Sequence, residues 1–194
     1  FGIPLVQRLQ TLRGRGLILL PTRELAAQAD EMLLKIARPL GFTTAVMIGG
    51  VSMHGQLQAL RRSPRILNAT PGRLLDHLER RTVNLSEVRI LVLDEADRML
   101  DMGFAPQINE ILRCVPRDRQ TLLYSATMPA TIAKIASTHM KLPVRVEVAP
   151  AGTAAEKVEQ EIIVVGREGK QAMLETVLND QPGLGSLAPA IAGD

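Results

Sequence analysis

The sequence predicts an α/β fold: a parallel sheet with helices on both faces. Two features carry that reading. Short apolar runs such as Leu17–Leu20 and Ile90–Leu93 show no polar alternation, which marks strands buried on both sides. Segments of helical period follow these runs in turn, and strand–helix alternation of this kind implies parallel pairing. The central stretch is Arg89–Leu100, RILVLDEADRML, whose apolar run stops on Asp94, Glu95 and Asp97. In open α/β sheets, ligands bind beyond the carboxyl ends of the strands. Two adjacent carboxylates there suit Mg²⁺, a hard cation that prefers oxygen ligands and keeps several waters. Asp94 would take the metal, directly or through water, and Glu95 would activate a hydrolytic water. The alternative is an acidic helix start, since Asp and Glu also stabilise a first turn.

The remaining elements follow in order. Phe1–Leu12 reads as a helix with Leu5, Leu9 and Leu12 on one face, broken by Gly14–Gly16. After the strand at Leu17–Leu20, Pro21 ends the run and Thr22 caps a helix reaching Arg38. Thr43–Ile48 is the next strand, closed by Gly49–Gly50. The spacing Gly50–Gly55 imitates a phosphate-binding loop, but Gln56 and Leu57 stand where such a loop needs Lys and a hydroxyl. His54 has no second metal-ligand residue at helical spacing and reads as surface. A helix at Gln56–Arg61 leads to strand Arg65–Ala69. Thr70-Pro71-Gly72-Arg73 then opens a helix through Arg80, with Thr at N-cap and Pro at N1. That helix start is equally an anion site, and Arg73 in a first turn is unfavourable for the dipole unless an anion compensates it. Arg80 and Arg81 read as solvated.

Helix Pro106–Val115 follows, with Cys114 at apolar helical spacing and therefore expected in the core. Strand Thr121–Tyr124 ends on Ser125-Ala126-Thr127, and Pro129 opens a helix to His139, a residue expected to favour the helix dipole. Hydroxyls at a strand end also serve as plain caps. Pro143–Val148 reads as an edge strand, 149–156 as a flexible linker, and 157–180 as a further strand and helix. The Pro/Gly/Ala-rich stretch 181–194 is expected to be disordered.

Composition narrows the function classes. The aromatic fraction is 2% with no Trp, which argues against nucleic-acid binding by base stacking. The net charge of +3 permits a polyanionic partner, held through phosphate contacts. A single Cys excludes a disulfide framework and a cysteine-based zinc site, which fits a reduced, cytoplasmic setting. No apolar run approaches the ~20 residues a membrane helix needs.

The letters DEAD at Asp94–Asp97 stand in order with PTRELA at Pro21–Ala26, Gly49–Gly50, TPGR at Thr70–Arg73 and SAT at Ser125–Thr127. In this the chain resembles the DEAD-box ATP-dependent RNA helicases of superfamily 2, over roughly residues 1–180. The resemblance implies a RecA-like domain at 1–148 without its phosphate-loop strand, and the start of a second at 157–180. It implies ATP and Mg²⁺ as cofactors and RNA as partner, contacted through its backbone by Thr22, Arg23, Gly50, Thr70, Gly72 and Arg73. It assigns metal and water activation to Asp94 and Glu95, and ATP–RNA coupling to Asp97 with Ser125 and Thr127. It also implies a G-x-x-x-x-G-K-T loop ending just before Phe1 and a second RecA-like domain with an arginine finger, so the chain alone is expected to be inactive. The rival from another class is a non-catalytic module with residual RNA or partner binding. A DNA-directed helicase is disfavoured because DEAD followed by SAT matches the RNA branch.

Overall fold

The computed structural model describes residues 1–147, 164–166 and 169–180. Two compact units divide the chain, Phe1–Glu147 and Val148–Asp194. In the first, the apolar runs become five strands: β1 (Arg15–Leu19), β2 (Thr44–Met47), β3 (Ile66–Ala69), β4 (Val88–Leu93) and β5 (Gln120–Leu123). They form one sheet in the order β2-β3-β1-β4-β5, and every pairing is parallel.

Side-chain alternation along each strand feeds two separate cores. Leu17, Leu19, Leu91 and Leu93 point into one, packed against Leu74 of helix α4 (Pro71–Glu79), Met99 of α5 (Ala96–Asp101), Ile108 and Ile111 of α6 (Ala105–Cys114) and Ile132 of α7 (Ala130–His139). Ile18, Ile90 and Val92 point into the other, against Leu5 and Leu9 of α1 (Gly2–Thr11) and Ala26 and Leu33 of α2 (Arg23–Ala37). Helices therefore cover both faces. The continuous apolar runs are required because both faces of β1 and β4 are fully buried. The residues of β5, at the sheet edge, are only half-buried or exposed.

Local chemistry explains the helix ends. Thr22 accepts a hydrogen bond from the Leu25 N–H at 3.2 Å and so caps α2. Arg65, half-buried over the Phe42 ring, donates to the Leu9, Leu12 and Gly14 carbonyls at 2.7, 2.8 and 2.7 Å, closing the C-terminus of α1. Gly14 is required there: at φ +130° a Cβ would sit 2.6 Å from the Glu87 carbonyl.

Several expectations need correction. Helix α3 (Met53–Arg61) begins three residues before Gln56, because Ser52 accepts from the His54 N–H at 3.2 Å and supplies the cap. Cys114 is exposed. The buried stripe of α6 runs through Ile108, Ile111 and Leu112, and at 100° per residue Cys114 lies about 110° from its centre. Residues 143–147 form no strand, and Val144 and Val146 are 85% and 81% exposed. Their alternation finds no sheet edge among the described residues. His139 does end α7, yet burial and the charges of Arg119, Arg113 and Arg117 push its pKa down, so it brings no charge to the dipole at neutral pH. Arg119 fills that role instead, donating to the Pro116 carbonyl after α6 at 2.6 Å and to the His139 carbonyl at 3.4 Å.

In the second unit, helix α8 (Lys170–Asp180) lies within the expected αβ piece. The linker at 149–156, most of the strand expected at 157–165, and 181–194 lie outside the described residues. No helix among the described residues is long and apolar enough to cross a membrane.

Candidate functional site

Register brings the motifs together. Leu19 is paired with Ala69 and Leu93, Met47 with Ala69, and Leu93 with Leu123. One residue further on, Ile48, Leu20, Thr70, Asp94 and Tyr124 therefore end their strands side by side. The backbone ladder extends to this row, with the Asp94 N–H on the Leu19 carbonyl at 3.0 Å and the Tyr124 N–H on the Leu93 carbonyl at 2.8 Å. Everything the sequence marked as chemical follows that row, at the carboxyl edge where α/β sheets hold ligands.

Asp94 is half-buried at the end of β4. Burial raises its pKa; the Glu95 N–H, 3.2 Å from Oδ1, opposes the rise, and the neighbouring Glu95 charge adds to it. A desolvated carboxylate beside a second negative charge is short of a cation. Among the described residues no cluster of three or more His, Cys, Asp or Glu could hold a metal. A lone half-buried carboxylate could hold a hard cation only as one that keeps most of its waters. Glu95 stands at φ 50°, ψ 51°, a left-handed conformation costly for a residue with a Cβ. Strain of that kind gathers at functional sites. Its carboxylate meets Arg98 Nη1 at 3.0 Å and remains partly exposed to water.

Asp97 links β4 to β5. Its carboxylate accepts from the Thr127 N–H at 2.8 Å and the Thr127 hydroxyl at 3.0 Å, while its own N–H donates to Ser125 Oγ at 3.2 Å. Burial alone would raise the Asp97 pKa. The hydrogen bonds from Thr127, and then those involving the Arg98 N–H and Ser125, outweigh it and leave the group below the ordinary range.

The basic side of the edge is built from three strand ends. Thr22 is committed to capping α2, which leaves the adjacent Arg23 exposed. The Arg23 guanidinium lies over Gly49 and Gly50; Gly50 sits at φ +73°, and a Cβ there would collide with Arg23 Nη1. The left-handed backbone at Gly50 is what favours a glycine there. Arg73 donates from Nε to the Ile48 carbonyl at 3.0 Å and from Nη2 to the Val51 carbonyl at 3.4 Å, with Asp76 at 3.8 Å from Nη1. It clasps the glycine loop. Thr70, expected as the cap of α4, makes no side-chain cap bond. The first-turn N–H groups of Gly72 and Arg73 are left without that partner, at the positive end of the helix.

Two residues at this edge escaped the sequence reading. Gln56 and His77 are polar yet 5% and 0% exposed, and they join in a hydrogen-bonded chain behind the glycine loop. The available signal was His77 three residues after Leu74, on the apolar stripe of α4.

Known proteins resemble this chain in sequence and in fold. The chain is 41% identical over 183 residues to the DEAD-box ATP-dependent RNA helicase CshA of Bacillus subtilis, covering 93% of this chain and 37% of that protein. It is 39% identical to the human protein described as probable ATP-dependent RNA helicase DDX47, covering 94% of this chain and 41% of the relative. Thus it spans about two-fifths of the length of these relatives. The yeast DEAD-box splicing factor Prp28 superposes with a TM-score of 0.69 at 35% identity, over 73% of this chain and 36% of that one. A hypothetical ATP-dependent RNA helicase from Sulfolobus tokodaii gives 0.67 at 34%, over 73% and 41%. These neighbours identify the sheet as a RecA-like domain. With the family model matched across residues 1–135, the chain belongs to the DEAD/DEAH box helicase family.

Proposed function

We propose that this chain supplies the RNA-contacting and metal-holding edge of an ATP-dependent RNA helicase. The observation that carries the reading is the alignment of five strand ends, which sets Arg23, Gly50, Thr70, Gly72 and Arg73 beside Asp94, Glu95, Asp97, Ser125 and Thr127. Arg23 and the first-turn N–H groups of α4 meet the RNA backbone, with little reading of bases. Asp94 would hold Mg²⁺, directly or through water, and the ion would offset charge on the ATP phosphates. Glu95 takes the proton of the attacking water. Asp97, bonded to Thr127 and Ser125, ties the nucleotide side of the edge to the RNA side. Cytoplasm is the compartment proposed, and a second RecA-like domain is the partner that completes both sites.

A second reading rests on one sequence fact: no G-x-x-x-x-G-K-[ST] loop stands within the 194 residues. By itself, then, the chain holds RNA without turning over ATP. The test of the common core is a fluorescence-anisotropy titration of single-stranded RNAs of different sequence against the chain. Binding of similar strength across sequences, weakening as salt rises, is expected. No binding, or binding confined to one sequence, contradicts the assignment.

A further inference from the structure

Behind the glycine loop lies a buried polar chain that the roles above do not use. Gln56 Nε2 donates to the Ile48 carbonyl at 2.9 Å, and Gln56 Oε1 faces His77 Nε2 at 2.9 Å. His77 Nδ1 lies 2.8 Å from Thr82 Oγ1, whose single proton serves either Nδ1 or the His77 carbonyl, 3.0 Å away. At the Gln56 end the directions are fixed. Ile48 offers only an acceptor, so the amide nitrogen of Gln56 must face it and the amide oxygen must face the ring. His77 therefore carries its proton on Nε2 and donates it to Gln56. The opposite tautomer would set two acceptors against each other.

The same Ile48 carbonyl also receives Arg73 Nε at 3.0 Å. Both of its lone pairs are thus occupied, one from α3 and one from α4. That carbonyl immediately precedes Gly49 and Gly50, against which Arg23 packs. We infer that Gln56 and His77 are positioning residues: through the Ile48 carbonyl they fix the glycine loop against Arg73, and so hold the phosphate-contacting groups of three strand ends in one arrangement. A core could use a well-packed apolar pair here at similar stability, since replacing both partners of a buried hydrogen bond is nearly neutral. The polar pair is needed only because a backbone carbonyl must be held. The consequence for RNA rests on the proposed function; the consequence for the loop does not.

The test therefore has two arms, on the chain and on the double variant Gln56→Met with His77→Leu. Because Gln56 and His77 go together and Arg73 still bonds the Ile48 carbonyl, this variant should melt close to the parent, whereas Gln56→Met alone leaves His77 unpaired and should melt lower. In the first arm, the backbone ¹⁵N order parameters of Gly49 and Gly50, near the rigid value of about 0.85 in the parent, should fall to about 0.6 or below in the double variant. Unchanged order parameters in a stably folded double variant would overturn the inference, and the pair would be core filling. Should the double variant fail to fold, Gln56→Glu sets an acceptor against the Ile48 carbonyl, and the same order parameters decide. In the second arm, affinity for a single-stranded RNA should fall about fivefold, the equivalent of one ordinary hydrogen bond. Lower order parameters in the variant with no RNA binding by the parent would sustain the loop role and sink the RNA reading instead.

Discussion

Thr127 gives two hydrogen bonds to one oxygen of Asp97, from its N–H at 2.8 Å and its hydroxyl at 3.0 Å, across the ends of neighbouring strands. The pair is near the surface, so its worth to stability is small; its effect is to fix where the segment after β5 leaves the sheet. Replacing Asp97 with Ala should release the Thr127 amide and speed its exchange about tenfold, the effect of one hydrogen bond to a charged group. Because the folded-state pKa of Asp97 is lowered, the contribution is present above the ordinary carboxylate value of 3.8 and is lost as pH falls through the lower folded value. Thr127 exchange in the parent, corrected for intrinsic rate, should therefore rise only under strongly acid conditions.

The Asp30–Asn68 pair runs the opposite way. Asn68 Nδ2 donates to Asp30 Oδ1 at 2.7 Å, but Asn68 Oδ1 is buried with no partner among the described residues. Burial raises the Asp30 pKa, against hydrogen bonds from Thr44 and Asn68. The folded state thus holds the proton more tightly than the unfolded state. Stability from this group is full below 3.8 and is lost as pH rises through the raised value. Asp30→Asn removes that loss and offers an N–H to Asn68 Oδ1. At pH 7 it should stabilise by about 1 kcal/mol, roughly 3 °C in Tm, and flatten the decline that sets in as pH rises past 3.8. A lower Tm across the whole range would contradict this.

Catalysis calls for an ATP phosphate loop and a second RecA-like domain beside this edge. The chain alone should bind ATP weakly and release no phosphate with or without RNA, since loop, Lys and arginine finger carry most of the charge stabilisation. Joined to both, it should hydrolyse ATP. In that setting Glu95→Gln should leave RNA binding intact and lower the hydrolysis rate by at least ~10²-fold. Asp94→Asn should mainly raise the Mg²⁺ concentration required. Calorimetry and phosphate-release assays check both.

The fold was legible because β1 and β4 are buried on both faces, which forces unbroken apolar runs such as Leu17–Leu20 and Ile90–Leu93. Their parallel pairing then follows from the helices between them. The position of the motifs was legible too, since Asp94 and Thr70 each follow an apolar run that becomes a strand. What stayed hidden depends on contacts distant in sequence. Nothing near Arg73 indicates that its guanidinium clasps the Ile48 carbonyl, 25 residues away. Nor does Gln56 indicate a partner at His77, 21 residues on. Cys114 and the valines of 143–147 misled for a simpler reason: apolar spacing marks burial only where a facing surface exists.

Under the proposed function, Arg23 makes contact with RNA while Arg73 supports the loop. Arg23 is exposed and spends no donor on a carboxylate among the described residues, whereas both Nε and Nη2 of Arg73 are held by backbone carbonyls. Arg23→Ala should weaken RNA binding with little change in Tm. Arg73→Ala should weaken binding and also destabilise by about 1–2 kcal/mol, because the Ile48 carbonyl loses one of its two donors and the Val51 carbonyl loses its bond to Arg73. Thermal melts alongside titrations distinguish the two.

The most direct measurement is the salt dependence of RNA binding by the chain and by Arg23→Ala. If the carboxyl edge grips the backbone, log affinity falls linearly with log salt, and the variant's slope is flatter by roughly 0.7, one single-strand phosphate contact. The loss should be alike for RNAs of different sequence. A slope unchanged by the substitution, or a loss limited to one sequence, would contradict backbone recognition at this edge.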